Sequence, residues 1–449
     1  MENYRGLDFQ EDAYAVGKIT QLIPAGDSCF MLMTTDDSVL KSNPVDLKKA
    51  AIKRINALKP KKNKNAFLAD LCIAGDQVIV QRASTDSYTI LAGYHWFTDW
   101  GRDTMIALRG LCIATGRQEV SQSILKTFFD NVDRGMLPNR FPDYDHDEVE
   151  YNTVDATLWL FVALYEYYQK FKDAEFVKKN MDHLSDILEH HFKGTRYNIH
   201  TTEEGFLWAG ESGVQLTWMD AKVGDYVVTP REGCAVEIQA LWYNALLIYQ
   251  FFEKELKHTC NANTLAQSEA VSKKLKKNFV PYFYNENNYL NDVVIPNKSA
   301  DKAIRPNQIF VLSLPFPLLN KTQQKQVFQN VKDYLYTPFG LRSLNVENEK
   351  FTPIYAGDQW HRDTAYHQGT VWSWLNGDYW LAYLKLNNFS AKAKATVLAE
   401  IEPLKAHFYE DNCIHGVSEI FDGEHPKAGR GTMQQAWSIG ALIMVLDLV

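Results

Sequence analysis

The stretch Gly93–Gly116, "GYHWFTDWGRDTMIALRGLCIATG", changes character halfway along. Its first half crowds aromatic rings around Asp99, Arg102 and Asp103. From Arg102 onward apolar residues recur at three- and four-residue spacing, which predicts a helix over 102–116. A ring-rich polar loop therefore feeds directly into an apolar helix. Working outward from it, helical periodicity begins near residue 64 and predicts twelve helices, near 64–83, 102–116, 118–133, 152–171, 174–193, 234–254, 265–281, 306–314, 322–335, 367–386, 390–407 and 432–448. Links from even to odd helices are short. Links into the second, fourth, sixth and twelfth are long or rich in Trp, Tyr, Gly, Asp and Glu, so the chemistry gathers at one end. Six helical hairpins closed into a ring place the even helices inside, which predicts a mainly α fold, an (α/α)6 barrel. No motif recurs at a fixed period; the expectation rests on helix number and loop asymmetry.

The first forty residues read differently. Alternating stretches such as "YAVGKITQLI" and "CFMLMTTDD", divided by Gly and Asp-Ser turn signals, predict short strands. The linker "LKKAAIKRINALKPKKNK" follows and reads as partly helical. The expected division is a short β-rich segment with linker over 1–60, a remnant of a larger N-terminal domain or an appendage of the barrel, and the barrel over 61–449. Too few strands are present there to make a stable sheet alone.

Composition narrows the function. Net charge is −8, with no long basic run to gather nucleic acid or anionic lipid. No run of eighteen apolar residues exists, and "MENYRGLDFQEDAY" is acidic where a leader would be basic, so the expected location is cytoplasmic, with no membrane partner. Six scattered cysteines form no CxxC pair, which predicts neither a zinc site nor a disulfide framework. Aromatics make up 13% of the chain, an excess suited to lining a concave site.

The polar segments entering the inner helices are "WFTDWGRDT", "VEYNTVDAT", "LTWMDAKVGDYVVTPREGCAVEI", "AIRPNQIF", "YHQGTVWSW" and "VSEIFDGEHPKAGRGTMQQAW". Each sets a carboxylate, amide, Arg or His beside an aromatic. A pyranose wants that mixture, since its C–H faces stack on Trp and Tyr while its hydroxyls take Asp, Arg, Asn and His. Other chemistries lack support: there is no GxGxxG, GxxxxGK[ST] or GxSxG. "DYDHDEVE", Asp143–Glu150, alternates acids but lacks the Gly and terminal Glu of an EF-hand, and reads as a solvated loop. His361 and His367 stand six apart, not at HExxH spacing, so no metal is expected. Glycoside hydrolysis needs two carboxyl groups. Asp220 and Glu419 lie in long loops with aromatics within two residues, where burial can raise a pKa; spacing alone leaves Glu211, Asp225, Asp422 and Glu424 open.

"GYHWFTDWGRDTMIAL", "TWMDAKVGDYVVTPREGCAVEIQALWYNAL", "RPNQIFVLSLP", "TPFGLRSL", "YHQGTVWSWLNG" and "SEIFDG" followed by "QQAWS" together resemble the C-terminal amylo-α-1,6-glucosidase domain of glycogen debranching enzymes, from about residue 64 to the end. The resemblance implies an (α/α)6 barrel and an inverting hydrolase, free of cofactor and metal, that releases glucose from α-1,6-linked stubs of glycogen-type glucans. It implies Asp220 as general acid and Glu419 as general base. Arg102 and Asp103 would hold the terminal glucose, with Trp100, Trp218 and Trp372 as walls. Lys222, Glu237, Asn307, Gln308, His367 and Gln368 fall in matching motifs as further sugar contacts. The chain departs from the pattern at Arg109, where Pro is expected, and in the short stretch before the barrel; nothing resembles a glucanotransferase half. Alternatives are a glucoamylase-like or trehalase-like hydrolase, or a glucan-binding protein without activity. Oligomeric state is not legible.

Overall fold

The computed structural model describes residues 8–141, 149–257, 260–425 and 427–449. Helices dominate: α1 (Pro44–Leu58), α2 (Ala66–Asp76), α3 (Gly101–Leu108), α4 (Gln118–Asp130), α5 (Asp155–Phe171), α6 (Ala174–Lys179), α7 (Met181–Lys193), α8 (Val236–Glu255), α9 (Ala262–Phe283), α10 (Phe310–Ser313), α11 (Lys321–Tyr334), α12 (Gln359–Ala365), α13 (Leu375–Leu386), α14 (Ala391–Glu400), α15 (Glu402–Glu410) and α16 (Ala436–Leu448). A π-helical turn, Arg109–Ala114, extends α3, and a 3-10 turn, Pro306–Ile309, leads into α10.

Two kinds of helix alternate, and their sequences say why. α16, "AWSIGALIMVLDL", and α5 carry apolar residues around nearly the whole circumference and are buried on all sides. α7, "MDHLSDILEHHFK", buries only one stripe, Met181, Leu184, Ile187, Leu188 and His191, at helical spacing. The all-round helices pack in a closed cycle: α3 on α5, α5 on α8, α8 on α10, α10 on α13, α13 on α16, and α16 back on α3. The striped helices lie against them, α2 on α16, α4 on α5, α7 and α9 on α8, and α11 and α14 on α13. Among the described residues no helix is long and apolar enough to cross a membrane.

Short strands tie the loops at the N-terminal ends of the inner helices. One antiparallel sheet runs Tyr336–Thr337, Gly340–Arg342, Val371–Trp372, Ile420–Phe421 and Gly429–Arg430. Its register sets Trp372 opposite Ile420 and so brings Glu419 alongside the approach to α13. A second pair, Gly93–Tyr94 with Gln434–Gln435, joins the loop entering α3 to the start of α16.

Three expectations need correction. Residues 8–38 form no strand, and none of them is buried. Alternation alone does not make a sheet there, because no neighbouring strand or apolar face is present to pair with those stretches, and an isolated strand pair is marginal in water. The helix expected to reach residue 83 ends at Asp76; Ile79–Arg82 pairs instead with Ser87–Ile90, following the β-branched run Val78–Val80. The helix expected from 367 starts at Leu375, since Val371–Trp372 is taken up by the sheet. The expected acidic loop lies, apart from Val149 and Glu150, outside the described residues.

Candidate active site

A cavity opens at the N-terminal ends of the inner helices. Trp100, Arg102, Asp103, Trp218, Asp220, Tyr366, His367, Trp372, Glu419, Gln435 and Trp437 are among its lining. Residues more than three hundred positions apart thus share one space, because each begins or precedes an inner helix.

The first side of the cavity is built on Arg102, in the first turn of α3. Its Nε lies 2.9 and 2.8 Å from the two oxygens of Asp155, which opens α5. Nη1 donates to Asp220 Oδ2 at 3.0 Å, and Nη2 to Thr153 Oγ1 at 3.3 Å. Asp155 is buried and takes a closely held share of the guanidinium charge; Asp220 takes a single bond. Although 39% of the Asp220 side chain is exposed, that exposure faces a confined, ring-lined space. Burial raises its pKa, while Arg102 works in the opposite direction and Asp155 adds to the rise. A carboxyl poised toward the protonated form is what a proton donor needs.

Glu419 is 2% exposed and immediately precedes the strand Ile420–Phe421. Its Oε1 accepts from the Tyr366 hydroxyl, and its Oε2 accepts from the Thr432 backbone N–H at 2.9 Å. Two donors on one carboxylate fix its orientation. Gly431 has φ of +69°, and a Cβ there would stand 2.1 Å from Glu419 Oε2. The chain folds tightly under the carboxylate only because that position has no side chain. Asp103 completes a trio of carboxyls: burial pushes it up to about 8, Arg102 opposing and the Glu419 and Asp220 charges adding to the rise. Its Oδ1 accepts from Gln435 Nε2 at 3.3 Å.

The walls are aromatic and interlocked. His367 stacks on Trp372 with centroids 5.1 Å apart and meets the edge of Trp218 at 5.3 Å. It is fully buried, and neither ring nitrogen has a partner among the described residues. Burial first, then the cations of Arg305, Arg102 and Arg231, hold it well below the usual histidine range, so the ring is neutral. One of its nitrogens can donate and the other accept, a pairing that fits a sugar hydroxyl.

The remaining expected contacts take other positions. Asn307 accepts from Trp218 Nε1 at 2.7 Å and donates to Asp292 at 2.8 Å, holding the indole from behind. Glu237 is buried against Arg231, with its pKa pushed up to about 7 by burial, against the Arg231 charge. Gln368 accepts from Arg305 at 2.9 Å and donates to Val228 and Thr229; Gln308 bonds the backbone at Leu290 and Arg305. Lys222 is exposed and donates to the Gly213 carbonyl at 3.0 Å. None of these five lines the cavity; Asn307 holds the Trp218 wall, and Lys222 fastens a surface hairpin. Conversely, Asp155 and Tyr366 belong to the site although neither stood out alone in the sequence. Their signal was position, each lying in a polar segment that enters an inner helix.

Buried acidic side chains inside a cage of indoles, at one end of a helical ring, define a glycoside hydrolase site. The chain belongs to the amylo-alpha-1,6-glucosidase family, whose model matches residues 73–444. It is 21% identical over 443 residues to the glycogen debranching enzyme of Saccharomyces cerevisiae; the match takes in 77% of this chain and 29% of that protein. The fold is similar to a GH63 mannosylglycerate hydrolase from Thermus thermophilus, with TM-score 0.60 and 13% identity over 84% of this chain and 99% of that one. It is similar also to a metal-independent alpha mannosidase of Streptococcus pneumoniae, with TM-score 0.58 and 12% identity over 89% of this chain and 98% of that one.

Proposed function

We propose that the protein is an inverting α-1,6-glucosidase that removes single glucose stubs from branched α-glucans. The closed cycle of α3, α5, α8, α10, α13 and α16, with the striped helices outside it, supports reading the fold as an (α/α)6 barrel whose N-terminal end is the active face. The observation that carries the reading is the meeting of Asp220 and Glu419 in one ring-walled cavity, Asp220 raised in pKa by burial and Glu419 held in place by two hydrogen-bond donors. Asp220, favoured in its protonated form, donates to the bridging oxygen. Glu419, held by two donors, draws a proton from a water that attacks the anomeric carbon from the other face. Asp103, neutral near pH 7, both donates to and accepts from glucose hydroxyls beside Arg102, and Trp100, Trp218 and Trp372 enclose the ring.

The test follows proton NMR during hydrolysis of a maltooligosaccharide bearing one α-1,6-glucosyl stub. β-Glucose as the first product, with losses of about a thousandfold or more in kcat for Asp220→Asn and Glu419→Gln, is expected. α-Glucose overturns inversion. Glucan binding without turnover moves the protein to a binding role, and turnover of a mannoside in preference to the glucoside moves the substrate.

A further inference from the structure

Two surface elements that adjoin cavity-lining residues along the chain carry an aromatic pair no catalytic step uses. The first is a hairpin, strand Lys222–Val223 returning as Tyr226–Val227, which begins two residues after Asp220. The second is α12, which ends directly before Tyr366 and His367. The two are fastened together. Strand Lys222–Val223 packs on α12, and Gln368 Nε2 donates to the Val228 carbonyl at 3.1 Å and to Thr229 Oγ1 at 3.2 Å. From the hairpin projects Tyr226, 53% exposed, and from α12 Trp360, 50% exposed. Their ring centroids lie 5.5 Å apart at an interplanar angle of 32°. Among the described residues no other pair of contacting rings leaves both members half in water.

Single exposed apolar residues are ordinary on a protein surface. Two large rings from different elements, held in contact yet left half solvated, are a different matter, since each ring keeps a broad apolar face free. We propose that Tyr226 and Trp360 form a stacking platform for the α-1,4-linked glucan chain that carries the branch stub, on the leaving-group side of the cavity.

The inference rests on the debranching reading, because Asp220 protonates the leaving oxygen and the platform stands on the chain segment that leaves Asp220. Three features favour this occupant. The platform is joined to the cavity along the chain, its hairpin beginning two residues after Asp220 and its helix ending directly before Tyr366 and His367. Its neighbours Lys222, Asp225 and the Asp358–His361 pair carry mixed charge, which selects for neither an anionic nor a cationic polymer. Its faces are apolar and its rims polar, matching the C–H faces and hydroxyl edges of successive glucose units.

The experiment compares wild type with Trp360→Ala, Tyr226→Ala and the double variant, each first shown by circular dichroism to melt as wild type does. Calorimetric titration with maltoheptaose in saturating glucose is expected to give an affinity weaker by roughly tenfold in each single variant. Kinetically, kcat/KM for a maltoheptaose bearing one α-1,6-glucosyl stub is expected to fall roughly tenfold further than kcat/KM for isomaltose, whose aglycone is one glucose. Unchanged maltoheptaose affinity, or equal falls for the two substrates, overturns the platform. Ring-dependent maltoheptaose binding in a protein that hydrolyses neither substrate upholds the platform and overturns the debranching reading instead.

Discussion

Asp103 lies between two carboxyls and one guanidinium, and burial decides its state. Its pKa is pushed up from 3.8 to about 8, so between those values the folded protein keeps a proton that the unfolded chain has released. Folding then takes up a proton, and the stability tied to Asp103 is complete below about pH 4 and lost as pH rises through about 8. Within that window the loss runs at up to about 1.4 kcal/mol per pH unit. Asp103→Asn removes the titration. The melting temperature of wild type, measured against that variant from pH 5 to pH 8.5, is expected to decline steadily; a constant difference would mean that Asp103 is ionised throughout. Such a proton is invisible in "WGRDT", where Asp103 reads as one acid beside one Arg. What sequence conveys at this scale is residue type and loop position, which makes Asp220 and Glu419 two candidates among several loop acids; the family resemblance is what singles them out. It does not convey partners. Arg102 meets Asp155 across 53 positions, and Tyr366 meets Glu419 across a further 53, so Arg102 reads as a sugar clamp in sequence while in the fold it ties two carboxylates together.

Between helices, contact distance rather than side-chain chemistry sets the tolerance. Where the π-helical extension of α3 crosses α16, a Cβ on Gly110 would stand 1.8 Å from the Gly440 carbonyl oxygen. The backbones touch, and neither can retreat without breaking its own packing in the inner ring. Gly110→Ala is therefore expected to cost about 3 kcal/mol or more, read as a lower urea midpoint, whereas Gly116→Ala on the surface, with nothing near its Cβ but φ of +80°, costs about 1 kcal/mol through backbone strain. Equal effects would show that the crossing is looser than drawn. One residue before Gly110, Arg109 is buried and bonds Glu166 at 3.0 Å and Asp378 at 3.1 Å, linking α3 to α5 and α13. Twelve periodic stretches in the sequence correspond to helices or helix pairs in the fold, because an apolar stripe is a local pattern. The strand at Ile79–Arg82 and the short strand at Val371–Trp372 were hidden inside two of those stretches, since a few residues of apolar sequence fit either period and only the partner strand decides.

Over the whole molecule, stability resides in the ring and its outer sleeve, and the N-terminal stretch stands apart from both. Val16 is 91% exposed and Leu22 88% exposed, so these side chains gain nothing from the folded helical ring. α1, by contrast, contacts α2, and the next tie to the helical ring comes at Asn63, whose Nδ2 donates to the Leu446 carbonyl at 2.9 Å. Free energy of folding should therefore depend on the chain from α1 onward and be indifferent to residues 8–41. Limited trypsin digestion tests this in the intact protein. Lys18 and Lys41 lie in that exposed stretch outside any α-helix and are expected to be cut first, ahead of the lysines within α1. The fragment beginning at Ser42 is expected to keep the melting temperature of the parent, since no buried apolar area leaves with the released peptide. A fall of several degrees on cleavage would mean that the stretch packs on the helical ring in solution, and its exposed apolar residues would then be the first place to look for the contact.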